Sequence, residues 1–315
     1  MNTASACIAA FLLAIGSFGG SLANAADATT IRIGVQKYGT LVIVEEQRSL
    51  ETRLAAAGIS VVWKEFPAGP QLLEAMSVGA IDFGTTGEAP PVFAQAAQTP
   101  LVYVGVEPAA PIGEAIIVPK DSPIQSVADL KGKRVALNRG SNVHYLLVQA
   151  LAGAGLGPKD IESVYLAPAD ARAAFERGSV DAWVIWDPFL TAAQAATGAR
   201  VVTDAQGLAP NRQYYLARRD FAAAHPQLLN DVLDEINRTD HWAEQHQHEV
   251  ALLLAPRTGL SVPVLDLALS RLGYGVARLD EDAIQGQQRI ADSFYKLGLI
   301  PKPVIVRDAV WVPNS

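Results

Sequence analysis

The spacing of apolar and polar positions changes period several times along the chain. Ile31-Arg32-Ile33-Gly34-Val35 is short and β-branched, which predicts a strand over 31–35. From 41 to 57 the apolar residues Leu41, Val44, Leu50 and Leu54 recur near a 3.6-residue period, a helix that Gly58 ends. The pattern continues as a strand over 61–66, a helix over 71–78 stopped by Gly79, and a strand over 81–84. A helix over 90–97 opened by prolines and a strand over 101–106 follow. Strands alternating with helices predict a parallel sheet covered by helices on both faces. The pattern then restarts, with strands over 115–118 and 134–137, a helix over 143–154 and a strand over 164–166. A helix over 172–177 stopped by Gly178 and a strand over 180–185 complete this second half. Beyond Tyr214-Tyr215-Leu216 the chain reads as mostly helical to about Leu297.

The two halves echo one another. Gly79-Ala80-Ile81-Asp82 and Gly178-Ser179-Val180-Asp181 each join a helix stop to a strand start, and each Asp is followed six residues later by a second acid, Glu88 or Asp187. Asp82 and Asp181 read as structural strand-start residues. Glu88 and Asp187 fall where a strand ends and a helix begins, the position at which open α/β sheets bind ligands. Two such halves facing one another make a cleft.

Three polar turns carry the candidate chemistry. In Thr85-Thr86-Gly87-Glu88-Ala89-Pro90-Pro91, Gly87 permits close backbone approach and the helix start offers amides to an anion. Glu88 beside an anion would repel it, so it caps its own helix, faces away, or pairs with a cationic part of a ligand. In Arg139-Gly140-Ser141-Asn142-Val143-His144, Ser141 reads as an N-cap. In Trp186-Asp187-Pro188, Asp187 can cap the next helix while Trp186 offers a broad apolar face with one donor. Gln36, just after the first strand, is a further candidate.

Composition narrows the function. The chain has 315 residues, half of them apolar, and a formal net charge of −7, enough for two domains and a poor match to nucleic acid. The first 26 residues carry no charge, the run from Ala6 to Phe18 has the length of a signal h-region, and Ala23-Asn24-Ala25 fits a cleavage site. A signal peptide over 1–25 and export are therefore expected. The single cysteine, Cys7, lies in that segment, which leaves the mature chain no disulfide, no thiolate metal site and no cysteine nucleophile. No later stretch is long and apolar enough to span a bilayer. The sequence holds no G-x-S-x-G elbow, no Walker A loop and no G-x-G-x-x-G after a strand. His241, His246 and His248, with Glu244 and Glu249, lack metal-site spacing and read as a solvated helix. No cofactor, no metal and no enzymatic activity are expected.

Several longer stretches resemble the aliphatic sulfonate-binding proteins of ABC importers. They are Glu65-Phe66-Pro67-Ala68-Gly69-Pro70-Gln71, Thr86-Gly87-Glu88-Ala89-Pro90-Pro91-Val92-Phe93-Ala94-Gln95-Ala96, Val102-Tyr103-Val104-Gly105-Val106-Glu107-Pro108 and Ala128-Asp129-Leu130-Lys131-Gly132-Lys133. The run from Ala167 to Phe175, Val180-Asp181-Ala182-Trp183 and Ile185-Trp186-Asp187-Pro188 complete the set, and the similarity as a whole covers roughly Ile31 to Trp311. The resemblance implies a two-lobed periplasmic-binding-protein fold of type II, with mixed sheets flanked by helices and two crossing strands as hinge. Lobe 1 would be 26–114 plus 213–315, and lobe 2 would be 115–212. It also implies a sulfonate held between the lobes, delivery to an inner-membrane ABC permease for sulfur acquisition, and a monomer. Gln36, Gly87, Glu88, Ser141, Asn142, His144, Trp186 and Asp187 would line the cleft. Amides near Gly87 and Ser141, with the side chains of Gln36, Asn142 and His144, would hold the sulfonate oxygens, and Trp186 would pack on the alkyl tail. Taurine, nitrate or another small anion is the alternative ligand, and an enzyme on the same fold is the alternative class.

Overall fold

A computed structural model of the chain describes residues 30–312. The expected signal segment, 1–25, and Cys7 lie outside the described residues. Ten strands are present among these residues: β1 (Thr30–Val35), β2 (Ser60–Glu65), β3 (Phe83–Gly87), β4 (Leu101–Val106), β5 (Glu114–Val118), β6 (Arg134–Leu137), β7 (Glu162–Tyr165), β8 (Ala182–Trp186), β9 (Arg200–Asp204) and β10 (Gln213–Arg218). Seven helices belong to the alternating part: α1 (Thr40–Gln47), α2 (Ser49–Ala55), α3 (Gly69–Ser77), α4 (Ala89–Ala96), α5 (Asn142–Gly153), α6 (Pro168–Glu176) and α7 (Phe189–Thr197). Five more follow β10: α8 (Arg219–Ala224), α9 (Pro226–Gln245), α10 (Gln247–Thr258), α11 (Val262–Leu269) and α12 (Glu281–Lys296).

The strands form two five-stranded sheets, ordered β2-β1-β3-β10-β4 and β7-β6-β8-β5-β9. The parallel sheet expected from the alternation is corrected here: both sheets are mixed, as the resemblance implied. β10 returns from the second half and inserts antiparallel between β3 and β4, and β5 runs antiparallel to both β8 and β9. β9 is absent from the sequence reading because its burial is only partial and gives no apolar run.

The chain passes between the sheets twice, through 107–113 and through 205–212. These two segments run side by side. The Ala110 amide donates to the Pro210 carbonyl (3.0 Å), and the Ala205 amide to the Pro111 carbonyl (3.2 Å). Each sheet is buried on both faces. One apolar cluster joins α3, α4 and α12 of the first sheet to α5 of the second, a second cluster covers the α1/α9/α11 face, and a third lies under α6 and α7.

The predicted helix over 41–57 is two helices. Arg48 takes a left-handed conformation (φ 52°) that ends α1 and starts α2 without breaking the apolar stripe, so the periodicity could not reveal it. The strand predicted over 81–84 instead continues through Gly87, which puts Thr85, Thr86 and Gly87 in β3 rather than in a turn.

The echo at Asp82 and Asp181 is structural, as its position suggested. Asp82 takes the Arg32 guanidinium and the Arg32 amide (3.0 Å), tying β1 to the start of β3. Asp181 does the same to Arg134, tying β6 to the start of β8. In both halves the Arg reaches on to the carbonyl of the left-handed helix-stop glycine, Gly79 or Gly178.

Candidate functional site

Right-handed β-α units place every strand's carboxyl end and the following helix's amino end on one edge of a sheet. Here the two edges face one another across a cavity of about 250 Å³. Six helix starts reach its wall: Gly39 and Thr40 of α1, Gly69 of α3, Pro90 of α4, Ser141 and Asn142 of α5, Pro168 and Ala169 of α6, and Pro188 and Phe189 of α7. Each start is a site of partial positive charge, and together they favour one anion over water.

The six are not equivalent as donors. Proline occupies the first turn of α3, α4 and α6, and a proline carries no N–H. At α4 the first amide, Ala89, is already given to Asn142 Oδ1 (3.3 Å), and Pro90 and Pro91 have none to offer. The α4 start therefore contributes its dipole and little else. α1 and α5 have no proline there, so the amides of Thr40 and Leu41, and of Asn142 and Val143, have no carbonyl of their own helix to bond.

Six of the eight residues singled out in the sequence are brought to the wall: Gln36, Gly87, Ser141, Asn142, Trp186 and Asp187. Gln36 donates to the Thr85 carbonyl (3.3 Å). Ser141 is the N-cap residue of α5 by backbone geometry, but its hydroxyl turns back to the Asn138 carbonyl (2.7 Å) and caps nothing. Asn142 accepts from Ala89 and donates to Asn211 Oδ1 (2.9 Å), which links α5 to the first sheet and to a crossing segment. Gly87 is needed there, because a Cβ on it would lie 2.1 Å from the Asn142 side-chain amide. Asp187 Oδ1 accepts from the Thr191 amide (3.0 Å) and hydroxyl (2.6 Å), so it does cap the first turn of α7. Trp186 lies edge-on to Phe189.

Glu88 and His144 are corrected. Neither reaches the cavity. Glu88 faces away, the second of its three open readings. Its Oε2 accepts the Arg212 amide (3.0 Å), its carbonyl accepts from Gln287 Nε2, and it makes no side-chain cap to α4. Burial pushes its carboxyl up to about 7. Glu114, also fully buried, lies near enough that Glu88 adds to the upward push that burial gives it. His144 is packed among Phe93, Phe294 and Tyr165, and its Nδ1 accepts the Gly140 amide (3.3 Å). Burial first, and Arg139 second, bring it down to about 4, so it is neutral and holds the 139–141 turn from behind.

Among the wall residues not singled out in the sequence are Lys37, Tyr38, Glu107, Asn211 and Arg271. Lys37 and Tyr38 follow Gln36 directly, and the strand-end rule that found Gln36 would have found them. Glu107 and Asn211 lie on the crossing segments. Glu107 Oε1 accepts the Tyr215 hydroxyl, and burial holds its carboxyl well above the usual range. Arg271 comes from just beyond α11, some 80 residues from the nearest predicted site residue, with no motif around it. Its Nη1 donates to Asp187 Oδ2 (3.3 Å) and Thr191 Oγ1 (3.1 Å), so the two sheets' elements touch on this flank as well. Trp186, Phe189, Leu272, Ala268, Pro67 and Pro108 leave the remaining wall largely apolar. Elsewhere, His246 Nδ1 meets the Trp242 carbonyl and His248 meets Asp266.

The comparisons with known proteins agree with this geometry. Residues 54–250 match the family described as NMT1/THI5 like. A protein of Escherichia coli (strain K12) named for binding aliphatic sulfonates is 43% identical over 306 residues, covering 96% of this chain and 95% of that protein. The structure of the alkanesulfonate-binding protein SsuA from Xanthomonas axonopodis pv. citri bound to MOPS superimposes with a TM-score of 0.87 at 42% identity, covering 91% of this chain and 99% of that one. The taurine-binding periplasmic protein of E. coli (strain K12) is 31% identical over 177 residues, 55% of this chain and 54% of that protein.

Proposed function

The chain belongs to the NMT1/THI5-like family, and we propose that it is a periplasmic solute-binding protein that captures aliphatic sulfonates and presents them to an ABC-transporter permease. One observation carries the reading: six helix starts converge on a single cavity whose remaining wall is mostly apolar. A sulfonate is ionised at every biological pH, so its site needs fixed donors and no proton transfer. The first-turn amides of α5, with Asn142 and Gln36, offer such donors to the three oxygens. Trp186 and Phe189 offer an apolar surface to the chain behind them. The net charge of −7 does not draw an anion in from a distance, so affinity rests on these local groups.

Under this proposal the lobes are 26–114 with 213–315, and 115–212. They hinge at the crossing segments, and the ligand is enclosed between them. The protein is exported through its 1–25 signal, acts as a monomer and performs no reaction. The relatives named for sulfonates, alike over nearly the whole chain, support the ligand class.

The test is a thermal-shift screen of denatured and refolded protein, which removes retained ligand. The panel is taurine, alkanesulfonates of rising length, ring-bearing sulfonates, sulfate and nitrate. A ligand at 100 times its Kd stabilises the native state by about 2.7 kcal/mol. The expected result is a rise in melting temperature that grows with the tail. A response to taurine or nitrate alone moves the ligand within the family, and turnover of a bound compound would make the protein an enzyme.

A further inference from the structure

The flank where α11 meets α7 holds polar groups that an alkanesulfonate leaves unused. Tyr38 lines the cavity there, and its hydroxyl is buried with no hydrogen-bond partner. Burial, with Asp187 next, keeps this phenol protonated, so it is a donor waiting for an acceptor. Arg271 lines the same flank. One nitrogen, Nη1, faces Asp187, Thr191 and Gln194 at 3.1–3.5 Å. A guanidinium has five N–H donors in a planar fork, and the Nε and Nη2 groups bond no protein atom among the described residues. The α5 amides come from the first turn of a different helix, one that packs with α4 and α12. The two donor sets thus reach the cavity wall from different elements, with Trp186 also on that wall.

The charge of this second set is close to balanced. Asp187 is buried and already faces Arg271, so a second carboxylate arriving here would stand beside an existing one. A neutral acceptor has no such cost and satisfies the Tyr38 hydroxyl.

Building on the sulfonate reading above, we propose that Tyr38 and Arg271 form a second polar subsite for a hydroxyl or ether oxygen at the far end of the ligand's chain. The preferred ligands are then ω-oxygenated sulfonates rather than plain alkanesulfonates, with Tyr38 as the specificity-determining residue.

Calorimetric titration of refolded protein tests this with matched pairs, each alkanesulfonate of two to six carbons against its ω-hydroxy and ω-carboxy counterparts. At one or two chain lengths the hydroxy compound should bind about tenfold tighter or more than the plain one, because a site built to bond an oxygen rejects the analogue that lacks it. The readout is that ratio, taken within each protein. In Tyr38→Phe, which removes only an unpartnered oxygen and should melt no lower than wild type, the ratio should fall below about threefold. Arg271→Lys keeps a cation opposite Asp187 but loses the fork, and should lower the ratio too. Equal binding of plain and hydroxy compounds at every length overturns the inference, as does a preference for the carboxylates or a ratio that survives Tyr38→Phe. If plain alkanesulfonates bind while hydroxyl adds nothing, the sulfonate reading stands and only this inference falls. If no sulfonate binds, both fall.

Discussion

Replacing Gly87 with alanine separates ligand capture from folding. Gly87 does not sit in the left-handed region, so alanine can adopt its backbone conformation. The obstacle is steric and comes from the other sheet's helix: the new Cβ would lie 2.1 Å from both terminal atoms of the Asn142 amide and 2.3 Å from its carbon. No real Cβ makes such a contact, so Asn142 must leave. It then loses its bonds to the Ala89 amide and to Asn211. At about 1 kcal/mol for each bond, the arrangement seen here loses roughly 2 kcal/mol before any residual clash is counted. That corresponds to a loss in ligand affinity of about thirtyfold or more. With the proposed hinge, opening the lobes relieves the clash, so the melting temperature without ligand should move little. The assay is calorimetric titration of refolded Gly87→Ala, Asn142→Ala and the double variant with one alkanesulfonate. The double variant should bind no worse than Asn142→Ala alone, because the methyl has then nothing to strike. Affinity of Gly87→Ala within threefold of wild type, or fully additive losses in the double variant, would refute the reasoning.

Trp186→Ala should flatten the dependence of affinity on tail length, which is otherwise worth about 0.8 kcal/mol for each buried methylene; equal losses across an alkanesulfonate series would remove its packing role. Glu88, raised to about 7 by burial, binds its proton more tightly folded than unfolded, so its stabilising contribution is complete at low pH and is lost as pH rises from about 4.5 through 7. Glu88→Gln should therefore gain up to about 3 kcal/mol on wild type between pH 5 and pH 8 in denaturant titrations, and a constant difference across that range would contradict it. Asp82→Asn should cost more stability than Asp181→Asn, because the Asp82 carboxylate is 3% exposed and faces two arginines while Asp181 is 33% exposed and faces one. Breaking the buried pair should cost about 3 kcal/mol and the exposed one under 1 kcal/mol, with sulfonate affinity unchanged in both.

The parts of this protein that were legible in its sequence are those fixed by local physics. Strand-to-helix alternation, proline at helix starts and glycine at helix stops located the helices around α3, α4 and α5, and the echo at Asp82 and Asp181 marked a repeated strand tie. The strand-end rule brought Gln36, Gly87, Ser141, Asn142, Trp186 and Asp187 to one cavity. What escaped is what distant segments decide. β10 enters the first sheet only because the chain returns from the second, and no local pattern encodes its antiparallel place. Arg271 reaches Asp187 from 84 residues away. Glu88 and His144 lie in the right turns but on the wrong faces, since an acid or a histidine next to a cavity residue can as readily point into a core that only the assembled helices α4, α5 and α12 create.

The most direct test of the central claim is a crystal structure of refolded protein grown with hexanesulfonate. The account predicts one molecule between the lobes, its sulfonate oxygens about 3 Å from the amides of Asn142 and Val143, and its chain running along Trp186. A sulfonate bound elsewhere on the protein, or a cavity that holds no sulfonate at saturating concentration, would contradict it.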